Sequence, residues 1–169
     1  MEVGLSLGSN LGDRQAALRA AAARVAALPG VRVLAAAPLY ETDPVGTRPE
    51  YAQLKYLNTV LVIDAPPEPD ALSRALHAIE DDLGRVRTVD RNAPRTIDID
   101  ILYAGTVTQT DGILDLPHPR WAERRFVVQP LADVRPNLTL PGTHRTVSAI
   151  LAALPAGEAV RKVADDWLR

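Results

Sequence analysis

The sequence predicts an α+β protein, a ferredoxin-like sandwich with a βαββαβ core and a C-terminal extension. The chain has 169 residues, a length that favours a single domain over residues 1–169, and 47% of them are hydrophobic. Up to residue 103, the apolar patterns follow the order strand, helix, strand, strand, helix, strand. This order is typical of a split βαβ fold, in which both helices cover one face of the sheet.

The first half of the predicted core contains two strands and one helix. Alternating apolar and small side chains predict a strand at Val3–Leu7, and helically spaced apolar residues predict a helix at Asp13–Leu28. Pro29 and the glycine after it end that helix. A second strand is expected over Val31–Glu41, followed by a loop over residues 43–50, which contain two prolines and a glycine.

The second half of the core adds a strand, a helix and a strand. Tyr56–Ile63 is the clearest strand pattern in the chain, and an apolar stripe predicts a helix over Pro69–Leu83. A polar, irregular segment over residues 85–95 then leads into a strand at Thr96–Tyr103. The C-terminal extension contains the remaining predicted elements, namely a hairpin over 105–112, helical segments over 120–134 and 147–154, and a strand or helix over 159–169.

The composition excludes several classes of protein. The chain has no cysteine, which excludes disulfides, a thiolate nucleophile, iron–sulfur clusters and cysteine-bound zinc. Its two lysines, Lys55 and Lys162, lie outside any glycine-rich phosphate-binding loop. The net charge of −2 and the few aromatic residues disfavour nucleic-acid binding. No apolar run approaches the ~20 residues of a membrane span, so we expect a cytoplasmic protein that binds no membrane.

Two carboxylates on the last core strand are the strongest candidates for chemistry. Within the string PRTIDIDIL at 94–102, Asp98 and Asp100 face one side of the strand and the isoleucines face the other. Two residues of strand span roughly 6.6 Å, so the carboxylates can converge on two metal ions about 3.5–4 Å apart. A strand with one solvated face would show the same alternation.

Basic residues surround these carboxylates in the sequence. Four arginines precede or adjoin them: Arg85, Arg87, Arg91 and Arg95. A solvated loop is the alternative, but a magnesium–polyphosphate site needs carboxylates for the metal and guanidinium groups for the phosphate oxygens. His118 is held between two prolines, which suits a phosphate or metal contact, although a loop histidine without a role is equally compatible. His77 and Glu80 lie on the second predicted helix and can face the arginine segment.

Several motifs occur together in the order found in one enzyme family. They are Gly8-Ser9-Asn10, Tyr56-Leu57-Asn58, Glu80 with Gly84-Arg85-Val86-Arg87, PRTIDIDIL at 94–102, and Pro117-His118-Pro119-Arg120. From about Val3 to Pro136 the chain therefore resembles the 6-hydroxymethyl-7,8-dihydropterin pyrophosphokinases of folate biosynthesis. The resemblance implies a ferredoxin-like fold and the transfer of pyrophosphate from ATP to the hydroxymethyl group of 6-hydroxymethyl-7,8-dihydropterin, with release of AMP.

The resemblance also implies roles for individual residues. Catalytic roles are implied for Arg85, Arg95, Asp98 and Asp100, and the two aspartates would hold two Mg²⁺ ions. ATP contacts are implied for His77, Glu80, Arg87, Ile101, His118 and Arg124. Pterin contacts are implied for Gly8, Thr42, Pro44, Val45, Tyr56, Asn58 and Phe126, of which the two aromatic residues would enclose the pterin ring. Asn92 stands where some members have a tryptophan, and Ile113 where an arginine often contacts ATP.

Two other functions are compatible with parts of the pattern. A ferredoxin-like RNA-binding domain would need aromatic residues on its sheet and a basic surface, whereas this chain has carboxylates on its central strand. Another two-metal phosphotransferase or a nuclease would keep the aspartates but would not need an aromatic pair. We expect the enzyme to act as a monomer on ATP and the pterin, without nucleic acid.

Overall fold

A six-stranded antiparallel sheet forms the centre of the computed structural model, which describes residues 1–169. The strands of the chain are β1 (Glu2–Ser9), β2 (Arg32–Ala36), β3 (Leu39–Thr42), β4 (Tyr56–Asp64), β5 (Asp98–Ala104), β6 (Gln109–Thr110), β7 (Asp115–Leu116) and β8 (Val160–Ala164). The helices are α1 (Arg14–Ala26), α2 (Pro69–Asp82), α3 (Arg125–Val134) and α4 (Val147–Ala153). The sheet has the order β5-β1-β4-β3-β8, β2 also pairs with β4, and β6 and β7 form a separate hairpin.

The segment over residues 31–41 forms two strands, and the prediction of one continuous strand was wrong. Pro38 lies at the break, and proline has no N–H with which to continue a strand ladder. The preceding residue turns its carbonyl away from the sheet ladder: Ala37 accepts hydrogen bonds from the Thr59 hydroxyl at 2.9 Å and from the Trp167 indole at 2.8 Å. As a result, β2 pairs with the end of β4 and β3 pairs with its beginning.

The helices cover both faces of the sheet. On one face, α1 and α2 pack on the strands through a core of 21 buried residues, among them Leu18 and Leu76 from the helices and Leu7 and Ile99 from the strands. This placement follows the helical spacing seen in the sequence, and α1 begins where the Asp13 carboxylate caps its first turn. On the opposite face, α3 and α4 enclose a second core of 12 buried residues.

The predicted helical segment over 120–134 is interrupted at Arg124. A short 3₁₀ turn, Trp121–Glu123, comes first, and Arg124 then adopts an extended conformation with φ −102° and ψ 106° before α3 begins. The apolar pattern continues across this break because Trp121 and Val127 are both buried in the same core. Because of this break, Arg124 does not follow the helical spacing of α3 and lies just before its first residue.

The C-terminal region settles two ambiguous segments. The hairpin predicted over 105–112 forms between residues 109 and 116, because the Asp111 carboxylate accepts the backbone N–H groups of Ile113 and Leu114 at 2.9 and 3.0 Å and fixes the turn there. The segment over 159–169 becomes strand β8 against β3, followed by the buried Trp167. None of the helices combines the length and the apolarity that crossing a membrane requires.

Candidate active site

A cleft of about 380 Å³ opens on the α3 side of the sheet. Strands β1, β4 and β5 form its floor, and the loops around residues 43–46 and 92–95 form part of its wall. Most of the residues predicted for the site line this cleft: Gly8, Thr42, Val45, Tyr56, Asn58, Arg95, Asp98, Asp100, His118, Arg124 and Phe126. The fold therefore brings together residues that lie more than a hundred positions apart in the chain.

The two aspartates of β5 lie in the cleft, as strand alternation predicts. Ile97, Ile99 and Ile101 on the opposite side are buried in the core beneath α1 and α2. Asp100 forms no ion pair, and burial, with a further contribution from the neighbouring Asp98 carboxylate, raises its pKa to about 7. The end of the strand thus concentrates negative charge that a bound cation would compensate.

Arginines contact Asp98 from both sides. Arg85 Nη1 lies 2.5 Å from Asp98 Oδ1, and Arg95 Nη1 lies 3.3 Å from Asp98 Oδ2. Both guanidinium groups are largely buried, with 16% and 14% of their side chains exposed. These contacts place two guanidinium groups, whose fork geometry is suited to phosphate oxygens, directly beside the carboxylate pair.

Glu80 acts as the anchor of this arginine cluster. Its side chain is almost fully buried; Oε1 accepts hydrogen bonds from Arg85 at 2.6 Å and from the Ile99 backbone N–H at 2.7 Å. Its other oxygen accepts from Arg87, also at 2.6 Å. Burial raises the pKa of Glu80, while the Ile99 N–H and the two arginines lower it in part. Both oxygens are occupied within the protein, so Glu80 holds the arginines instead of facing the cleft.

Aromatic and polar groups also line the cleft. Tyr56 and Phe126 both line it, and the Arg124 guanidinium lies 5.7 Å from the centroid of the Phe126 ring. Asn58 donates its amide to the Thr42 hydroxyl at 2.7 Å, which directs the amide oxygen towards β1. A Cβ atom on Gly8 would lie only 2.8 Å from that oxygen, so a larger residue at this position would displace the Asn58 side chain.

Comparisons with known proteins identify this arrangement. The family model of 7,8-dihydro-6-hydroxymethylpterin-pyrophosphokinase (HPPK) matches residues 4–136, a range that contains every residue described above for the cleft. The chain belongs to the HPPK family. It is a pyrophosphokinase, a diphosphotransferase enzyme of folate biosynthesis, as the resemblance predicted.

Individual relatives support the assignment over most of the chain. The chain is 42% identical over 154 residues to a 2-amino-4-hydroxy-6-hydroxymethyldihydropteridine pyrophosphokinase of Methylorubrum extorquens, covering 90% of this chain and 94% of the relative. The corresponding protein of Pseudomonas aeruginosa is 40% identical over 152 residues, covering 89% and 90%. The folic acid synthesis protein fol1 of Schizosaccharomyces pombe is 38% identical over 153 residues, which cover 90% of this chain and 20% of fol1.

Solved structures share the fold. Wild-type Plasmodium falciparum HPPK-DHPS, crystallised with pteroate, superposes with a TM-score of 0.67 at 15% identity, covering 89% of this chain and 42% of that one. An HPPK-DHPS in complex with substrates gives the same TM-score at 12% identity, covering 90% and 44%. The chain spans less than half the length of these proteins. At this level of identity, the likeness concerns the fold alone.

Some predicted residues of this HPPK-family chain lie outside the lining of the cleft. Arg85, Arg87 and Glu80 lie behind Asp98, as described above, and Pro44 lies between lining residues of its loop. His77 is exposed on α2, and no contact in the structure joins it to the cleft.

Ile101 also lies outside the cleft lining, since its side chain is in the core. The backbone groups of Ile101 face the edge of the strand. Ile99 donates its N–H to Glu80, so its backbone groups face away from β1, and alternation gives those of Ile101 the same orientation two residues later. Ile101 thus presents its backbone at the outer edge of β5.

Several further residues that line the cleft were not predicted from the sequence. Ser6 could have been found, because alternation along β1 places it on the same face as Gly8. Arg120 belongs to the motif around His118, although no role was assigned to it. Glu158 had no sequence signal at all, because it reaches the cleft only through the pairing of β8 with β3.

Proposed function

We propose that this enzyme transfers the β,γ-pyrophosphoryl group of ATP to the hydroxymethyl oxygen of 6-hydroxymethyl-7,8-dihydropterin. A bond forms between that oxygen and the β-phosphorus, the bond from the β-phosphorus to the oxygen bridging the α-phosphate breaks, and AMP leaves while the hydroxyl loses its proton. One observation carries the proposal: a single cleft joins the carboxylate–arginine cluster around Asp98 to the aromatic pair Tyr56 and Phe126. The charged groups suit a polyphosphate, and the aromatic groups suit a flat heterocycle.

Asp98 and Asp100 are proposed to hold two Mg²⁺ ions together with the phosphates of ATP. The chain has no group of three or more histidine, cysteine or acidic side chains arranged to hold a metal ion. Mg²⁺ is commonly held by only one or two carboxylates plus substrate phosphates, so the two aspartates fit it. Burial and the neighbouring Asp98 carboxylate raise the pKa of Asp100, and a bound cation would favour its charged form. When bound, Mg²⁺ supplies positive charge next to the phosphoryl oxygens.

The arginines are proposed to neutralise charge on the transferred group. Arg85 and Arg95 already lie beside Asp98, and their guanidinium groups can turn from that carboxylate to phosphate oxygens. Glu80 keeps Arg85 and Arg87 together, so its contribution to ATP binding is made through these arginines. His118 and Arg124, which line the cleft, are proposed to contact ATP. Contacts with ATP are also proposed for His77 and for the Ile101 backbone.

The pterin is proposed to lie between the rings of Tyr56 and Phe126. Stacking against aromatic rings suits a flat heterocycle, and the oriented Asn58 oxygen offers a hydrogen-bond acceptor. Gly8 leaves room for that oxygen. Thr42, Pro44 and Val45 contribute the strand end and loop on the same side.

We also propose that the fold is ferredoxin-like. If β2 and β3 are counted as one interrupted strand, the four core strands lie in the order β5, β1, β4 and β2/β3, which are the fourth, first, third and second in the chain. All of them are antiparallel, and α1 and α2 cover one face. This arrangement supports a ferredoxin-like fold. We further propose that residues 1–169 form one domain, because both cores share one sheet. We also propose that the enzyme acts as a cytoplasmic monomer without nucleic acid. Size-exclusion chromatography with light scattering tests the oligomeric state.

A nucleotide-product assay tests the reaction. The protein is mixed with MgATP in the presence and in the absence of 6-hydroxymethyl-7,8-dihydropterin, and the nucleotides are separated. AMP that forms only with the pterin is the expected result. ADP as the product, or AMP formed equally well without the pterin, would contradict the proposal.

A further inference from the structure

Asn10 has no role in the site as described so far, although it belongs to the motif Gly8-Ser9-Asn10. It lies directly after the end of β1, and only 3% of the residue is exposed. A buried amide must satisfy its donor and acceptor groups within the protein, so its partners are informative. All of these partners lie far from it in the sequence.

Asn10 holds the backbone of Arg95 at two points. The Asn10 side-chain oxygen accepts the Arg95 N–H at 2.8 Å, and the Asn10 backbone N–H donates to the Arg95 carbonyl at 3.2 Å. The Asn10 amide nitrogen donates to the Leu54 carbonyl at 3.4 Å, in the loop that leads into β4. The buried Asn10 side chain thus connects the Arg95 backbone to the end of β1 and to the loop before β4.

Arg95 needs such a support because no strand or helix holds it. The regular pairing of β1 with β5 ends at Gly8 and Asp98, and Arg95 lies three residues before β5. Its guanidinium must nevertheless reach a defined position, 3.3 Å from Asp98. The Asn10 bonds extend the β1–β5 contact beyond the strands and fix the backbone from which the Arg95 side chain projects.

We propose that Asn10 is a positioning residue that places Arg95 for charge neutralisation during pyrophosphoryl transfer. This inference rests on the role proposed for Arg95 above. Asparagine is suited to the position because it offers an acceptor to one backbone and a donor to another. Misplacement of a catalytic group by about 1 Å can cost on the order of 100-fold in rate.

The test is a double-mutant cycle of Asn10→Leu and Arg95→Ala, with Asn137→Leu as the control. Asn137 is an exposed asparagine beyond α3. Asn10→Leu is expected to lower kcat by about 10- to 100-fold while the KM for the pterin changes less than about 3-fold. In the Arg95→Ala background, the same substitution is expected to change kcat by less than about 2-fold, because no guanidinium is left to misplace.

The outcomes separate this inference from the role of Arg95. If Arg95→Ala alone turns over at the wild-type rate, the proposed role of Arg95 fails, and the positioning role fails with it. If Arg95→Ala is impaired and Asn10→Leu either has no effect or multiplies that loss, only the positioning role is overturned.

Asn10→Asp covers the case in which the leucine variant does not fold. It keeps the acceptor for the Arg95 N–H and loses the donor to Leu54. It is expected to retain a kcat within about 5-fold of wild type, since the bond to Arg95 is conserved. A loss in a folded Asn10→Asp variant as large as that of Arg95→Ala would contradict the proposal, and thermal unfolding confirms that the variants are folded.

Discussion

Arg85 and Asp98 form a contact of 2.5 Å between Nη1 and Oδ1, and Asp98 is thereby paired before any ligand is bound. The same carboxylate is proposed to bind Mg²⁺, and the same guanidinium is proposed to bind phosphate. The two groups therefore neutralise each other in the free protein and must exchange partners when MgATP binds. Before that exchange, the contact with Arg85 keeps the half-buried Asp98 carboxylate from standing unpaired next to Asp100.

Asp98→Asn tests the metal role. The amide keeps the shape of the side chain and removes its charge, so metal coordination is lost and turnover is expected to fall at least about 1,000-fold. The measurement is AMP formation as a function of the Mg²⁺ concentration. Asp82→Asn is the control, because Asp82 is exposed at the end of α2 and pairs only with Arg24. Near-normal turnover at saturating Mg²⁺ would show that Asp98 is not a metal ligand.

Gly8→Ala tests the packing on the pterin side. The added Cβ would lie 2.8 Å from the Asn58 oxygen, which the hydrogen bond to Thr42 keeps in place. The KM for the pterin is expected to rise about 10-fold, while the KM for ATP stays nearly constant, as expected for a loss of binding at one subsite. Gly157→Ala is the matched control, because nothing lies within 4 Å of a Cβ at that position. An equal effect of both substitutions on pterin KM would refute the assigned contact.

Phe126→Ala tests the stacking of the pterin. Loss of one ring of the pair is expected to weaken pterin binding by about 1–2 kcal/mol, or roughly 10-fold, and to leave ATP binding largely intact. Phe126→Leu separates stacking from simple filling of the space, because it restores the volume without the ring. Calorimetry with each ligand alone measures both affinities. The assignment fails if ATP binding falls as much as pterin binding.

Asn92→Ala tests a connection between two loops of the cleft. Asn92 donates its amide to the Gly46 carbonyl at 2.8 Å, and Arg48 lies 3.2 Å from Asp90 between the same loops. This chain thus has a polar link between the loop over residues 85–94 and the loop over residues 43–50. Loss of the link is expected to raise KM for both substrates about 3-fold, because loop closure affects both sites. Val89→Ala, fully exposed in the same loop, is the control, and an identical effect of the two substitutions would argue against the link.

Arg135→Met tests a stabilising pair remote from the cleft. Arg135 binds Glu2 at 2.9 Å, and its hydrogen bonds are the main cause of the lowered pKa of Glu2. Because the pKa of Glu2 is lower in the folded protein than its ordinary value of 4.5, the pair contributes its full stabilisation above pH 4.5. This stabilisation is lost as the pH falls through the lower pKa of the folded protein. We expect Arg135→Met to destabilise the protein by about 1 kcal/mol at neutral pH, discounted for partial exposure.

Urea unfolding at neutral and at acid pH measures this effect. The difference between wild type and Arg135→Met is expected to shrink as the pH falls below 4.5 and through the lowered pKa of Glu2 in the folded protein. Arg169→Met serves as the control, since that side chain is 89% exposed. A difference that stays constant between the two pH values would exclude the Glu2 pair as its source.

Local patterns were sufficient for the elements that build the site. Alternation placed Asp98 and Asp100 on one face of a strand, and helical spacing placed Leu76 in the core, because both depend only on the geometry of neighbouring residues. The same reasoning overextended the strand at 31–41, since hydrophobicity does not record the missing N–H of Pro38. It also left the segment at 159–169 undecided, because its strand forms only against β3.

By itself, the sequence determined the identity of the charged and aromatic groups, their order and the face of the element on which each lies. The resemblance carried by its motifs determined the family, which the comparisons confirmed. Only the tertiary structure decided that Arg85 contacts Asp98, that Glu80 anchors two arginines and that Asn10 holds Arg95. The contact between Asn10 and Arg95 joins segments that meet only after the sheet has formed. The contacts of Glu80 with Arg85 and Arg87, five and seven residues away, are local, but hydrogen bonds over a few ångströms cannot be read from the spacing along the chain.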